Sequence, residues 1–234
     1  MKLVRESPCK VNLLLNILGK RPDGFHELET LMQPVPLCDT IEFEMASSAV
    51  ELTCSEPSLP VDGTNLVHRA ATQFLAAARV DAGVRLHLLK RIPMAAGLGG
   101  GSGNAAVTLL GLNDLFGRAL SPEQLQTIAA GLGSDVPFFL RNGPALAVGR
   151  GERVTWLEPF PALRGVHILL IHPGFGIATA WAYRELANFP EALNGRPGRA
   201  ETLAASLRSG DLAGAGREFY NSLEAPALRK YPLL

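Results

Sequence analysis

The amino-acid sequence predicts an α+β protein built in two parts, and three features support this. Apolar stretches of strand type crowd the first 54 residues, a glycine-rich loop joins a strand to a helix near residue 100, and helical patterns dominate beyond residue 178. A second glycine-rich stretch, from Gly143 to Gly151, separates the two parts. We therefore place an N-terminal domain at residues 1–152 and a C-terminal domain at residues 153–234, which the length of 234 residues allows.

The composition indicates a soluble globular protein without an obvious macromolecular partner. Hydrophobic residues make up 47% and charged residues 19%, and the 22 basic and 22 acidic side chains cancel, which gives no sign of a nucleic-acid partner. The three cysteines lack CxxC spacing, so we expect neither disulfides nor a zinc site. Because we find no secretory signal and no membrane-length apolar run, we expect a cytoplasmic protein that binds no membrane and is a monomer or a homodimer.

The first predicted strand runs from Ser7 to Gly19 and carries two polar side chains, Lys10 and Asn12. Side chains two positions apart share a face of a strand. Such a pair usually lies on a solvated edge, but a lysine on the core side of an apolar strand needs an acidic or phosphate partner. A Pro-Asp-Gly turn follows, and the residues alone indicate only packed core positions for Phe25 and His26.

Two half-solvated strands and one helix come next. Thr40 to Met45 alternates apolar and acidic residues, and Val50 to Cys54 is a second strand. The following segment predicts a helix that ends near Ala78, with Thr64 or Asn65 as its N-cap.

The glycine-rich loop is the most informative part of the chain. Between Gly97 and Gly103 it has five glycines and one serine, preceded by a predicted strand from Val84 to Ile92 and followed by a predicted helix from Asn104 to Phe116. Glycine has no Cβ, so such a run can wrap its amides around an anion, and the helix adds unpaired first-turn N–H groups and the positive end of its dipole. We therefore expect this loop to bind phosphate.

Other interpretations of the loop fit less well. A flexible linker is disfavoured because the run is short and lies between two apolar elements. A Walker A loop needs a lysine at its end, but no basic residue lies between Arg91 and Arg118. A dinucleotide fingerprint can be placed on Gly101 to Ala106, but the approach from Pro93 is too long and the acidic residue Glu123 falls at a helix start.

After the loop helix, the sequence predicts a further helix and then an acidic residue beside an apolar run. Ser121 is the candidate N-cap of this helix, which has proline at its first position and ends near Gly133. Asp135 follows and precedes the apolar run Val136 to Leu140. An acidic residue in this position is often simply an N-cap, and the residues alone leave that interpretation open.

The C-terminal part predicts one buried strand, His167 to Ile171, and then only helices. The first of these helices begins at Thr179 and carries Tyr183, an aromatic residue of the kind that usually packs in a core. The others cover Ala200 to Arg208 and Leu212 to Tyr220, and both are amphipathic.

Three motifs together resemble the GHMP kinase superfamily, a group of small-molecule kinases. The glycine loop reads PxxxGLGGGS from Pro93, and GSDVP from Gly133 resembles the family's Gly-x-Asp-Val-Pro motif. The pattern PxKxNL from Pro8, followed by RxDGFH from Arg21, resembles one branch. Members of this branch act on a methylerythritol linked to cytidine diphosphate, in non-mevalonate isoprenoid precursor biosynthesis.

The resemblance implies a two-domain GHMP kinase fold. Its N-terminal, ATP-binding half resembles ribosomal protein S5 domain 2, and its C-terminal half is ferredoxin-like and incomplete in this chain. It also implies ATP-dependent phosphorylation of the 2-hydroxyl of the substrate, with ATP and Mg²⁺ as cofactors. Another GHMP small-molecule kinase, or a nucleotide-binding relative without turnover, remains the alternative, since the family's loop usually ends Ser-Ser where this chain has Ser102 and Gly103.

The resemblance further assigns catalytic roles to Asp135, as the base that takes the hydroxyl proton, and to Lys10, which steadies Asp135 and the developing charge. The ATP-binding positions that it implies are Asn65, Pro93, Gly97, Leu98, Gly99, Gly100, Gly101, Ser102 and Gly103. The substrate-binding positions that it implies are Asn12, Phe25, His26, Thr179 and Tyr183. Ser102 is also a candidate contact for Mg²⁺, and Phe25 and Tyr183 would stack on either side of cytosine.

The resembled family continues beyond Leu234 with another glycine-rich loop. A strand at His167 to Ile171 needs partners, because each unpaired N–H or C=O group in a core costs about 1–3 kcal/mol. We therefore expect the second half of this chain to be open, with an exposed sheet edge, and the chain alone to have little or no kinase activity.

Overall fold

The computed structural model describes residues 2–234, which form seven β-strands, eight α-helices and three short 3-10 helices. The strands are β1 (Lys2–Lys20), β2 (His26–Ala46), β3 (Val50–Cys54), β4 (Gly83–Leu89), β5 (Ala145–Gly149), β6 (Arg153–Trp156) and β7 (Tyr220–Asn221). The α-helices are α1 (Leu66–Ala78), α2 (Gly100–Leu115), α3 (Pro122–Leu132), α4 (Thr179–Glu185), α5 (Pro190–Leu193), α6 (Arg199–Ser209), α7 (Leu212–Glu218) and α8 (Glu224–Lys230). The α+β class is therefore confirmed. Within residues 2–234, no helix is both long and apolar enough to cross a membrane.

The packing groups these elements into two compact units that do not follow chain order. Unit 1 contains the chain up to Cys9, together with Pro36–Pro93 and Gly99–Arg141. Unit 2 contains Lys10–Val35, Met94–Leu98 and Asn142–Leu234. Both β1 and β2 contribute residues to each unit, because these two strands are unusually long. The domain assignment at 1–152 and 153–234 stays a prediction.

In unit 1, β4 pairs with two neighbouring strands and three helices pack together. β4 runs antiparallel to β2, with Thr40 opposite Leu89, and parallel to β3, with Val50 opposite Val84. Helices α1, α2 and α3 contact one another. The ring of Phe43 on β2 is fully buried, and a Cβ at Gly111 of α2 would collide with it. A glycine at this position therefore lets α2 approach β2 closely.

Helix α2 begins at Gly100, four residues before the predicted start at Asn104, so part of the glycine run is its first turn. The Asn104 side chain is buried and accepts a hydrogen bond from the Ser7 hydroxyl at 2.8 Å. A Cβ at Gly103 would lie 2.8 Å from the carbonyl oxygen of Pro8 and 3.3 Å from the Ser7 hydroxyl. The absence of a side chain at Gly103 therefore allows the start of α2 to pack against β1. A serine at this position would crowd β1 as well as add a hydroxyl group.

In unit 2, paired strands support a helical layer. β5 runs antiparallel to β2 and to β6, whereas β7 runs parallel to β1, with Leu14 opposite Tyr220. One core cluster joins β1 and β2 to α6 and α7, and a second joins β1 and β2 to residues from Leu186 to Leu193. The first cluster consists of Leu14, Leu31, Phe160, Ala200, Leu203, Ala204, Leu207 and Ala215.

A buried carboxylate fixes the start of α6. Glu29 on β2 is 7% exposed and accepts hydrogen bonds from the amides of Gly198, Arg199 and Ala200 at 3.0, 2.9 and 3.4 Å. It also accepts one from the Asn16 side-chain amide at 2.8 Å. Negative charge at a helix N-terminus is favourable, and this arrangement ties α6 to the β1 and β2 strands of unit 2.

The predicted buried strand at His167 to Ile171 is wrong. This segment forms no strand in the described chain, and Leu169 and Ile171 are 83% and 84% exposed. Residues 2–234 provide no strand that pairs with it, so its apolar side chains stay at the surface. The expected sheet edge is therefore not formed there. Strands β5, β6 and β7 and helices α5 and α8 were not predicted.

The other predicted elements are confirmed, but β1 begins five residues before the predicted start and β2 begins well before the strand predicted at 40–45. The ends of the predicted helices shift by a few residues. Asn65 is the N-cap of α1, and its side chain accepts a hydrogen bond from the Val67 amide at 2.9 Å. Ser121 caps α3 through a capping box with Gln124. Helix α4 begins at Thr179 as predicted, whereas α7 ends at Glu218, two residues early.

The crowding at Gly103 predicts a specific loss of stability. In Gly103→Ala the new methyl group must displace the Pro8 carbonyl, so we expect a loss of about 1–3 kcal/mol. Gly101→Ala is the matched control, because its Cβ would lie 3.8 Å from Leu66, an ordinary contact, and alanine favours a helix. Urea unfolding of both variants measures the difference. Equal stability of the two variants would contradict the tight packing at residue 103.

Candidate functional site

The glycine run presents unshared backbone amides at the N-terminus of α2. Gly97 and Gly99 have φ angles of +72° and +69°, a conformation that favours glycine, and Gly99 is the N-cap residue. No side chain caps the helix, and its first-turn amides have no intrahelical acceptor by geometry. The side of the run near Gly97 and Gly101 is exposed. These amides, together with the dipole of a 16-residue helix, suit an anion.

Lys10 attaches the first part of the run to β1. Its side chain is 5% exposed, and Nζ donates to the carbonyl oxygen of Gly97 at 2.9 Å and to Asn12 Oδ1 at 2.6 Å. Its backbone amide donates to the carbonyl oxygen of Leu98 at 2.9 Å. Asn12 in turn donates to the Thr30 hydroxyl at 2.8 Å. Lys10 therefore does not lie on a solvated edge, and a buried ammonium group stands directly at the loop.

Four of the predicted substrate residues lie in unit 2 near the β1–β2 turn or on α4. The rings of His26 and Tyr183 lie 5.2 Å apart between centroids. Phe25 is 52% exposed, and the Arg150 guanidinium lies 4.7 Å from the centre of its ring. Thr179, the first residue of α4, is exposed. The structure thus pairs Tyr183 with His26 and Phe25 with Arg150.

Arg150 was missed by the sequence analysis. It lies between Gly149 and Gly151, which have φ angles of +78° and +98°, in the turn from β5 to β6. The only signal in the sequence was a cation inside a glycine-rich turn, which is usually a solvated position. Its contact with Phe25 depends on the pairing of β5 with β2 and is therefore visible only in the fold.

Charges around the β1–β2 turn shape the surroundings of His26. Burial, with Lys20 adding a smaller effect, lowers the pKa of His26 below its usual value, which favours the neutral ring. Burial acts to raise the pKa of Asp23, but the Phe25 amide and the Arg21 guanidinium hold that pKa below its usual range. A neutral imidazole offers one donor and one acceptor, which suits an uncharged polar ligand such as a nucleobase edge.

Asp135 and Asn65 belong to unit 1. Asp135 is half-buried in a turn before the 3-10 helix Pro137–Leu140, whose N-cap is Val136 without a side-chain hydrogen bond. The interpretation of Asp135 as the N-cap of that helix is therefore wrong. Asn65 donates to the carbonyl oxygen of Pro60 at 2.7 Å in addition to capping α1. The catalytic role of Asp135 and the adenine contact of Asn65 stay predictions.

The comparisons with a family model and with curated relatives indicate the same protein family. Residues 65–143 match the family model described as "GHMP kinases N terminal domain". The 4-diphosphocytidyl-2-C-methyl-D-erythritol kinase of Pelotomaculum thermopropionicum is 43% identical over 225 residues, which cover 96% of this chain and 76% of that relative. The chain thus spans about three quarters of the length of this curated relative.

Solved structures agree with the sequence comparison. A crystal structure of 4-(cytidine 5'-diphospho)-2C-methyl-D-erythritol kinase has a TM-score of 0.80 at 37% identity, over 99% of this chain and 80% of that chain. The homoserine kinase of Cytophaga hutchinsonii has a TM-score of 0.67 at 17% identity, over 94% of this chain and 71% of that chain, and shows the shared fold alone. The GHMP kinase fold is therefore confirmed, and the chain belongs to the 4-diphosphocytidyl-2-C-methyl-D-erythritol kinase family of the GHMP kinases.

Proposed function

We propose that this chain is a small-molecule kinase that transfers the γ-phosphoryl group of ATP to the 2-hydroxyl of 4-diphosphocytidyl-2-C-methyl-D-erythritol. The family supports this reaction, since its members are named for it. The observation that carries it is the uncapped N-terminus of α2 inside the glycine run, with buried Lys10 bound to Gly97 and Leu98. Phosphoryl transfer asks a protein chiefly for positioning and charge stabilisation, and this arrangement supplies both.

The ATP phosphates would lie on the glycine run. The amides from Gly97 to Ser102 would donate to phosphate oxygens, and the Ser102 hydroxyl would add a further donor. Gly103, whose amide donates to the carbonyl oxygen of Gly99 at 2.8 Å, would lie beside the phosphates without a side chain in the way. Pro93, which precedes the loop, and Leu98, which lies within it, would also line the ATP site. Asn65 would contact adenine, and its hydrogen bonds to Pro60 and Val67 fix the side chain at the start of α1.

Mg²⁺ would arrive with ATP. Among residues 2–234, no three His, Cys, Asp or Glu side chains are grouped so that they could hold a metal ion. Magnesium is commonly held by substrate phosphates, water and one or two protein oxygens, so this donor set fits an ion carried by the nucleotide. Ser102 is the side chain that we propose as its protein contact, where the ion would offset charge on the phosphates.

Asp135 and Lys10 are the proposed catalytic residues. The 2-hydroxyl oxygen forms the new bond to the γ-phosphorus, the bond from that phosphorus to the β–γ bridging oxygen breaks, and ADP leaves. Asp135 would accept the hydroxyl proton. The Lys10 ammonium would stabilise negative charge that develops in the transition state.

The cytidine end of the substrate would be held by aromatic residues. Phe25 offers an exposed ring, and neutral His26 beside Tyr183 offers a donor and an acceptor edge. Thr179 and Asn12 would contribute polar contacts. The hydrogen bond from Asn12 to Thr30 fixes the Asn12 side chain on β1. The oligomeric state, monomer or homodimer, stays a prediction.

The catalytic assignment predicts that variants of Asp135 and Lys10 both lose turnover but differ in nucleotide binding. We expect Asp135→Asn to lower kcat by about 10²–10⁴, because the general base is lost. ATP affinity, measured by calorimetry, should change little in the same variant. Lys10→Ala should lower kcat as well and should also weaken ATP binding, since it releases Gly97.

Asp114→Asn is the matched control, because Asp114 is an exposed carboxylate of unit 1 that pairs only with the exposed Arg5 among the ion pairs described. Its turnover should equal that of the parent protein. Near-normal turnover of Asp135→Asn would show that the base is assigned wrongly. The sequence-based expectation that this chain alone has little or no kinase activity stays a prediction, and full turnover of the parent protein would contradict it.

The substrate assignment predicts that the protein distinguishes cytosine from uracil. Cytidine diphosphate should raise the melting temperature more than uridine diphosphate does, because uracil lacks the exocyclic amine. Phe25→Ala should weaken cytidine binding by about 1–3 kcal/mol, the usual contribution of a base stacked on an aromatic ring. Phe219→Ala, at an exposed aromatic outside the proposed site, is the control. Equal protection by the two nucleotides would leave only the wider superfamily.

A further inference from the structure

A buried ion pair in unit 1 has no role in the proposed chemistry. Asp39 on β2 is fully buried, and one of its carboxylate oxygens pairs with Lys90 Nζ, whose side chain is 9% exposed. The other oxygen, Oδ1, accepts hydrogen bonds from the amides of Arg91 and Ile92 at 2.7 and 2.9 Å. A buried carboxylate is costly unless it is fully paired, and here three consecutive residues provide its partners.

These three residues connect the sheet to the phosphate-binding loop. The strand pairing of β4 ends at Leu89, and Pro93 begins the loop motif. In between, the Lys90 amide donates to the Ser55 hydroxyl at 2.9 Å, and the next two amides donate to Asp39. Hydrogen bonds to side chains therefore take the place of strand pairing in the segment that leads into the loop.

The same segment lies against the first turn of α2. A Cβ placed on Gly100 would be 3.0 Å from Ile92 Cγ2 and 3.4 Å from Lys90 Nζ. Both of the residues at this contact are partners of Asp39, one through its amide and one through its ammonium group. A change in the position of residues 90–92 would therefore move the start of α2, where the unshared amides are.

We propose that Asp39 is a positioning residue for the phosphate-binding loop. Its carboxylate holds residues 90–92 against Gly100, and so keeps the first-turn amides of α2 aimed at a bound phosphate group. This role rests on the proposed binding of ATP at the loop. Asp39 acts through the backbone and through Lys90, and it serves nucleotide affinity rather than recognition of cytidine.

Two variants at this position test the proposal. Asp39→Asn keeps an oxygen for the two amides but removes the charge that faces Lys90, whereas Asp39→Ala removes every partner. We expect the ATP dissociation constant, measured by calorimetry, to rise about threefold to tenfold in Asp39→Asn and further in Asp39→Ala. The dissociation constant for cytidine diphosphate should stay within about twofold of the parent value.

Glu29→Gln is the matched control for a merely structural role. Glu29 is also a buried carboxylate that accepts backbone amides, but its partners are at the start of α6. This variant should lose stability while its ATP affinity stays unchanged. Folded Asp39 variants that bind ATP like the parent, or a Glu29→Gln variant that weakens ATP binding equally, would overturn the proposal.

Hydrogen exchange provides a readout that does not require ATP binding. In Asp39→Asn the amides from Arg91 to Gly103 should exchange faster than in the parent, at a temperature where both are folded, and those in Glu29→Gln should not. Unchanged exchange in this segment would contradict the proposal. If the parent protein fails to bind ATP, the proposed function fails, and exchange alone decides the role of Asp39. If Asp39→Ala does not fold, Asp39→Asn carries the test.

Discussion

The backbone amides at the start of α2 must remain free of protein acceptors while the chain that carries them stays fixed. A side-chain cap would satisfy these amides but would also occupy the place of a ligand. The structure leaves Gly99 as an uncapped N-cap and fixes the surrounding chain through other groups. A glycine N-cap in place of a capping side chain costs roughly a few tenths of a kcal/mol of stability, and a bound anion can recover that energy.

Buried polar side chains hold the chain around the start of α2 in place. The Ser7 hydroxyl binds Asn104 inside α2, Lys10 binds the carbonyl oxygens of Gly97 and Leu98, and Asp39 binds the amides of residues 91 and 92. Each of these groups is shielded from water, where a lost partner is costly. The loop is therefore held by hydrogen bonds to its carbonyl groups and to its approach segment, which leaves the amides of the helix start available.

Sequence patterns predicted those parts of the molecule whose structure depends on local chemistry. The glycine loop with its positive φ angles and the cap at Ser121 follow from backbone freedom and short-range hydrogen bonding. The early start of α2 could not be predicted in this way, because it depends on room beside Pro8, which is distant in the sequence. The apolar run His167 to Ile171 indicated burial, but burial needs a neighbouring strand, and apolar composition alone does not supply one.

The candidate functional residues also differ in whether the sequence or only the fold identifies their contacts. The motifs identified Lys10 and Phe25 as candidates, but only the fold shows that Lys10 is buried at the loop and that Arg150 covers Phe25. Asp39 resembles an ordinary acidic residue beside a strand until the turn of β4 towards the loop brings residues 90–92 to it.

Product formation tests the central claim most directly. With ATP, Mg²⁺ and 4-diphosphocytidyl-2-C-methyl-D-erythritol, phosphorus NMR should show a new phosphomonoester in an amount equal to the ADP released. Coupling between phosphorus and carbon should place this phosphate on the carbon that bears the 2-hydroxyl. Release of inorganic phosphate without a new ester, or an ester on a different hydroxyl, would contradict the account of an ATP-binding loop that serves phosphorylation of this substrate.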